Sequence, residues 1–455
     1  MVRRIAGLSG WKLRPAQVLG LGYLIVILGG GLLLQMPASC QPGVQLSFLD
    51  AVFMATSATC VTGLSVLDVA TSFSTFGQLV IMLLIQIGGL GIMTISTLFA
   101  LLLGKRIGLR HRLAIQEELN TITLSGVVRL IRLVLGLSLG LEILGAGFLF
   151  IRWMGKMPIG QALYFAVFHS VSAFNNAGFV ILGPNLEAYV GDVLVNIVLS
   201  LLVIAGGLGF LVIGELLLKS LLLRSSFRRL SLHSKLVLVT TSLLMASSFV
   251  FVFCVEGNNP LTLGPLEGET KLLATWFQSV SPRTAGFSTI PVDGMRAATL
   301  FFFIFLMFIG ASPGSTGGGI KTTTAACLVM TVISTIKGQS DTVVFGRRIP
   351  ETTVRKALSI VILALVLVLT VTLVMLVIED LPVLDVIFEV VSAFSTTGLS
   401  TGITPLLSSS SKLLLIILMF VGRIGPVTLA LALGRKFHGF PGSGVRYPEG
   451  TVIVG

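Results

Sequence analysis

Four stretches of this 455-residue chain repeat one pattern of residue types. They read FMATSATCVTGL (53–64), FHSVSAFNNAGF (168–179), WFQSVSPRTAGF (276–287) and FEVVSAFSTTGL (388–399). In each, an aromatic residue (Phe53, Phe168, Trp276, Phe388) stands ten positions before a glycine (Gly63, Gly178, Gly286, Gly398). A small residue precedes that glycine and a large apolar one follows it: Leu64, Phe179, Phe287 and Leu399. The pattern holds no paired acids and no nucleophile with a base, so the chemistry it suggests belongs to the backbone. Glycine permits positive φ and close approach. The C-terminal end of a preceding helix carries partial negative charge. Carbonyl oxygens of an extended stretch can replace a cation's hydration shell. A single copy would read as a glycine ending an interfacial helix. Four copies, 115, 108 and 112 residues apart, read as an internal repeat whose loops build one cation site.

The elements that must position these loops lie in a membrane. Hydrophobic residues make up 54% of the chain, charged residues only 11%, and the mean hydropathy is +1.00. Eight long apolar runs stand at 16–37, 76–103, 127–151, 190–218, 236–255, 297–336 (interrupted), 354–378 and 411–434. The stretches between them alternate in charge. Those at 1–15, 104–132, 219–235, 337–356 and 435–455 hold most of the 31 Lys and Arg, whereas the others carry Asp50, Asp68, Glu187, Asp192, Glu256, Glu267, Glu269, Asp293, Glu379, Asp380 and Asp385. The positive-inside rule then places both termini in the cytoplasm. Each outward connection holds a shorter apolar segment, 48–59, 161–174, 270–281 or 383–394, ending in the glycine pattern. A dozen helical residues rise about 18 Å, roughly half a bilayer.

The expected fold is therefore an all-α membrane protein with eight transmembrane helices in four span–pore-loop–span repeats, with pseudo-fourfold symmetry around a central pore. All four copies begin and end inside, which argues against the inverted repeats of many secondary transporters. The repeats are 1–103, 104–222, 223–336 and 337–436, followed by a cytoplasmic tail at 437–455.

Several function classes are set aside. The net charge of +12 suggests nucleic acid, but the basic residues sit in short loops between apolar runs. Cys40, Cys60, Cys254 and Cys327 are scattered without metal spacing. There is no P-loop and no Rossmann fingerprint, so nothing here binds nucleotide. His169 is isolated, and HExxH or paired intramembrane Asp motifs are absent, so an enzyme is not expected.

Two further features stand out. The sixth run is broken by GASPGSTGGGIKT (310–322), whose five glycines and Pro313 cannot continue a helix cheaply. It reads as the only broken run, and a static kink is the plain alternative to a moving loop. Arg423, in FVGRIGP within the last run, is functional by default, or else a buried partner of Glu142 or Glu389. Lys321 is expected to snorkel toward the cytoplasm. IGGLGIM (87–93) and AGGLGFL (205–211) echo each other and are assigned to close helix packing.

At this point the sequence resembles the Trk/Ktr/HKT superfamily of potassium transporters, most of all the KtrB/NtpJ-type membrane subunits of bacterial Ktr systems. The resemblance covers essentially the whole chain, and the ending VRYPEGTVIVG (445–455) is also similar to a Ktr C-terminus. Eight spans match the Ktr branch; Trk-type subunits usually carry two more. The resemblance implies potassium uptake through a filter of Val61, Thr62, Gly63, Asn176, Ala177, Gly178, Thr284, Ala285, Gly286, Thr396, Thr397 and Gly398. Some sodium-preferring HKT proteins have Ser at the first filter glycine, so Gly63 implies potassium selectivity. Residues 310–322 would form an intramembrane gating loop under the filter. Its gating residues would be Gly310, Ser312, Gly314, Ser315, Gly317, Gly318, Gly319 and Lys321, with Arg423 facing the cavity and contacting the loop. The implied partners are membrane lipid, a second copy of the chain in a homodimer, and a cytosolic KtrA-type nucleotide-binding regulatory ring. The implied location is the bacterial cell (inner) membrane. No covalently bound cofactor is implied. Potassium is the transported ion; sodium as activator or coupling ion, or a poorly selective monovalent cation transporter, remains the alternative.

Overall fold

The computed structural model describes residues 15–92, 94, 127–183, 185–221 and 229–425. The basic N-terminal residues 1–14, most of the 104–132 stretch, residues 222–228 and the expected tail at 437–455 lie outside the described residues.

Each repeat opens with a long helix: α1 (Pro15–Gln35), α4 (Val127–Trp153), α8 (Leu232–Glu256) and α12 (Glu351–Ile378). All four are long and apolar enough to cross a membrane. They present large side chains outward, Ile143 and Leu243 each 69% exposed, as a lipid-facing surface requires. A short helix follows each: α2 (Phe48–Thr59), α5 (Ile159–Phe174), α9 (Gly268–Val280) and α13 (Val383–Ser395). These agree with the sequence expectation to within two residues at either end. Phe53, Phe168 and Phe388, the aromatic residues of the repeated pattern, are completely buried in them, and Trp276 is half-buried. They anchor each half-helix among its neighbours.

The third element differs from expectation. α3 (Thr75–Leu90) ends at Gly91, α6 (Val193–Leu208) at Gly209 and α14 (Ser409–Ile424) at Gly425, with φ of 89°, 93° and 95° and ψ near 136°. After Gly209 the chain continues as α7 (Phe210–Leu221), bent by 104° from α6. The sixth run splits into α10 (Ala297–Phe308) and α11 (Thr322–Ile336). The expectation that only the sixth run is broken is therefore corrected. The physical reason is that one glycine in an apolar run costs a helix only about 1 kcal/mol and leaves its hydropathy high. Hydropathy thus reads a span where the backbone turns. Ser74, Asp192 and Ser408 cap the starts of α3, α6 and α14, accepting from the backbone N–H three residues on.

Each long helix packs on the half-helix of its own repeat: α1 on α2, α4 on α5, α8 on α9 and α12 on α13. Between repeats, the third element packs on the next half-helix. α3 meets α5, α6 meets α9, α10 meets α13, and α14 returns to α2. That closed cycle brings the four glycine loops together. Within the basic 337–356 stretch, a two-stranded hairpin pairs Val343–Val344 with Arg347–Arg348.

Candidate functional site

The four loops leave their half-helices by the same backbone path. The residue two before each glycine is left-handed: Val61 (φ 58°), Asn176 (57°), Thr284 (63°) and Thr396 (52°). The glycines follow with φ of 96°, 71°, 75° and 86°, and the residue between is not left-handed. Left-handed backbone costs a β-branched residue roughly 1–2 kcal/mol, so Val61, Thr284 and Thr396 hold strain that the surroundings must offset.

The loop N–H groups turn back to the half-helix. Thr62 N–H donates to the Ser57 carbonyl at 2.7 Å, Ala177 to Ser172 at 2.7 Å, Ala285 to Ser281 at 3.1 Å and Thr397 to Ser392 at 2.9 Å. Gly63 N–H donates to Ser57 Oγ at 3.1 Å and Gly398 N–H to Ser392 Oγ at 3.0 Å. With donors engaged on one side, such a stretch can offer carbonyls to a cation on the other. Sequence reasoning missed these serines. Their signal was a Ser six residues before the glycine in three copies and five before it in the other.

The glycines close on one another in order. A Cβ added to Gly63 would lie 2.5 Å from the Ala177 carbonyl oxygen, one on Gly178 2.9 Å from that of Ala285, and one on Gly286 2.5 Å from that of Thr397. One on Gly398 would run into the Thr62 carbonyl. No side chain fits at any of the four positions. The four glycines and the residues before them, Thr62, Ala177, Ala285 and Thr397, thus lie against one another. On one side lies a cavity of about 470 Å³ lined by the four glycines and carrying one carboxylate, Asp68.

The segment between α10 and α11 lies against the loops. Gly318 N–H donates to Thr396 Oγ1 at 3.0 Å. Thr316 Oγ1 donates to Asn176 Oδ1 at 3.1 Å, and Asn176 Nδ2 donates to Thr284 Oγ1 at 3.3 Å. The segment is also tied to the break after α6. Ser312 N–H donates to the Gly207 carbonyl at 3.0 Å, Thr316 N–H to that of Gly206 at 3.2 Å, and Phe210 N–H to that of Gly314 at 2.9 Å. Gly310 and Gly319 meet where the segment folds back, and Gly314 and Gly319 take φ of 66° and 69°. Among the described residues Ser315 bonds within the segment, to the Ser312 carbonyl at 2.6 Å. A Cβ on Gly317 would meet the Thr284 side chain.

Arg423 ties this segment to repeat one. Its guanidinium donates to the Thr316 and Gly88 carbonyls, and Nε lies 3.4 Å from the Tyr23 hydroxyl. The alternative pairing with Glu142 or Glu389 is not found. Glu142 accepts from Gln86 Nε2 at 3.1 Å and Asn175 Nδ2 at 3.0 Å, and Glu389 accepts from Thr404. Backbone carbonyls hold Arg423 and side-chain amides hold Glu142, partners that charge pairing from sequence did not consider. Lys321 Nζ bonds the Gly317 carbonyl at 2.7 Å, turning back on the segment instead of away from it.

Thr316, Tyr23 and Gly88 were missed as site residues. A signal for Gly88 was present: GRIG (422–425) aligns with GGLG at 88–91 and 206–209, placing Arg423 where repeats one and two have Gly89 and Gly207. Gly88, Gly206 and Gly422 press on the carbonyls of Thr59, Phe174 and Phe394, the residue four before each loop glycine.

Residues 26–437 match the family model described as TrkH, cation transport protein. Over 444 residues the chain is 42% identical to the Ktr system potassium uptake protein B of Bacillus subtilis (strain 168), covering 98% of this chain and 97% of that one. It is 38% identical to the potassium/sodium uptake protein NtpJ of Enterococcus hirae, covering 98% of each. The crystal structure of the potassium transporter TrkH from Vibrio parahaemolyticus matches with a TM-score of 0.70 at 19% identity, over 92% of this chain and 86% of that one, so the fold is shared. The chain belongs to the Trk/Ktr superfamily of cation transport proteins, in its bacterial KtrB type.

Proposed function

We propose that this chain takes up potassium across the bacterial cell membrane through a selectivity filter made by the four glycine loops. The observation that carries the reading is the ordered contact of Gly63, Gly178, Gly286 and Gly398, each against the carbonyl of the next repeat. In this reading the carbonyls of Thr62, Ala177, Ala285 and Thr397 ring an axis of pseudo-fourfold symmetry, and the ends of four half-helices add partial negative charge. Eight crossings, with both termini cytoplasmic, complete the fold. The broken runs count as crossings because non-helical backbone is tolerated where it is buried in protein or lines water.

The segment 310–322 is the gate. Its hydrogen bonds to Thr396 and Asn176, and the hold of Arg423 on Thr316, keep it beneath the filter. Moving it aside opens the path. A homodimer with a cytosolic nucleotide-binding ring supplies the stimulus. The names of the Ktr and TrkH relatives support potassium as the ion.

Sodium-coupled or poorly selective transport is the second reading, favoured by the relative named for both potassium and sodium. Flux into liposomes holding the purified chain, with and without the ring and ATP, separates the two. Potassium flux well above sodium flux is expected. Equal flux of both ions, or potassium flux that requires sodium, would favour the second reading.

A further inference from the structure

Nine residues before the loop glycines, the half-helices carry Met54, His169, Phe277 and Glu389. Three of these reach the strand that leaves the loop of their own repeat. The Ser65 hydroxyl lies 3.5 Å from the Met54 sulfur. The Ile181 N–H donates to His169 Nε2 at 3.3 Å, while His169 Nδ1 faces the Phe165 carbonyl at 2.8 Å. The Thr404 hydroxyl donates to Glu389 Oε1. In repeat three Phe277 is apolar, and its neighbour Gln278 makes the crossing instead, donating to Ser288 Oγ at 2.5 Å. Every repeat therefore has a strut from half-helix to departing strand.

Repeat four is the one that uses an acid. Glu389 is completely buried, and among the described residues its Oε2 has no hydrogen-bond partner. Burying a carboxyl with an idle oxygen is costly, and the equivalent sites hold Met, His or Phe. The cost indicates that the contact Glu389 does make is needed. Thr404 also meets the Ser400 hydroxyl at 3.2 Å, and Ser400 Oγ accepts the Gly402 N–H at 2.9 Å. Ser400, Gly402 and Thr404 line the cavity beside Gly398. Gly398 is thus pinned on both sides, by Ser392 Oγ on its N–H and by the Glu389–Thr404 strut beyond it.

We propose that Glu389, acting through Thr404, is a positioning residue that sets ion preference at the fourth filter loop. The proposal rests on the filter reading above. A smaller ion is bound well only if carbonyls close in around it. Holding the departing strand resists that collapse and so favours the larger ion.

The test is the potassium-to-sodium flux ratio in liposomes for Glu389→Gln, Glu389→Leu, Thr404→Val and the Leu/Val double variant. Gln keeps the Oε1 acceptor and should hold the ratio within about twofold. Leu, and independently Val, should lower it about tenfold, the worth of one buried hydrogen bond to a carboxylate. The double variant should be no worse than either single one, because both remove the same strut. Thr404→Val touches only a loop hydroxyl and carries the test if Leu impairs folding. A folded Leu or Val variant with the wild-type ratio would overturn the strut. So would Gln falling as far as Leu, since charge and not the bond would then matter. A wild-type chain that passes both ions alike would overturn the filter reading and the strut with it.

Discussion

Gly286→Ser puts one methylene and a hydroxyl into a crowded part of the site. The added Cβ would sit 2.5 Å from the Thr397 carbonyl oxygen, whereas ordinary contact begins at 3.4 Å. It would also lie 3.1 Å from Gly178 Cα and 3.3 Å from Gly398 Cα, so no single neighbour can give way freely. Something must move by about 0.9 Å, and the Thr397 carbonyl is the nearest atom. The left-handed φ of 75° adds roughly 1–2 kcal/mol of strain for a non-glycine residue. If that carbonyl is one of four holding the ion, displacing it should cost roughly 1.5–3 kcal/mol of ion binding, as for a hydrogen bond to a charged group. The potassium-to-sodium flux ratio should then fall about 10- to 100-fold. The assay is flux of each ion into liposomes, on protein that elutes as the wild type does. A folded variant with an unchanged ratio would refute the reasoning, because no arrangement of four carbonyls tolerates such a shift in one of them.

Other expectations follow from the same geometry. Arg423→Ala removes the ties to the Thr316 and Gly88 carbonyls and should raise resting potassium flux about tenfold; unchanged flux would argue that Arg423 is only structural. Deleting Gly317–Gly319 should also raise flux, and loss of flux in a folded protein would argue against a gate. Lys412 Nζ bonds Asp50 Oδ1 at 2.8 Å where repeat four closes on repeat one. Asp50→Asn should lower thermal stability by at most about 1 kcal/mol at pH 7. Burial raises the Asp50 carboxyl, but hydrogen bonds from Lys412 and Ser47 outweigh it and hold it below the usual range. That contribution is therefore full above the ordinary carboxylate range of about 3.9. It is lost as pH falls through the lower folded value. The melting difference between wild type and variant should vanish in that acid window; a difference that persists there would locate the effect elsewhere.

The parts of the fold legible from sequence were those written in local backbone chemistry. An aromatic anchor, a short apolar stretch and a glycine placed each half-helix and each loop, because helix length and positive φ are decided within a dozen residues. The disruption at 310–322 was legible for the same reason. The environment of Arg423 was legible in part: contact with the loop was implied, but its partners Tyr23 and Gly88 lie 400 and 335 residues away. The helix ends at Gly91 and Gly425 and the break at Gly209 were not legible, since one glycine barely changes hydropathy or helix cost. The struts were hidden too. Met54, His169 and Glu389 share a register but no chemistry, and only the folded strand shows that they do the same work.

Locating the ion tests the central claim most directly. Crystals grown in rubidium or thallium, measured for anomalous scattering, should show density between the carbonyls of Thr62, Ala177, Ala285 and Thr397. Weaker or shifted density is expected when sodium replaces them. Ion density elsewhere in the chain, with no density among these loops in protein that still transports, would contradict the filter.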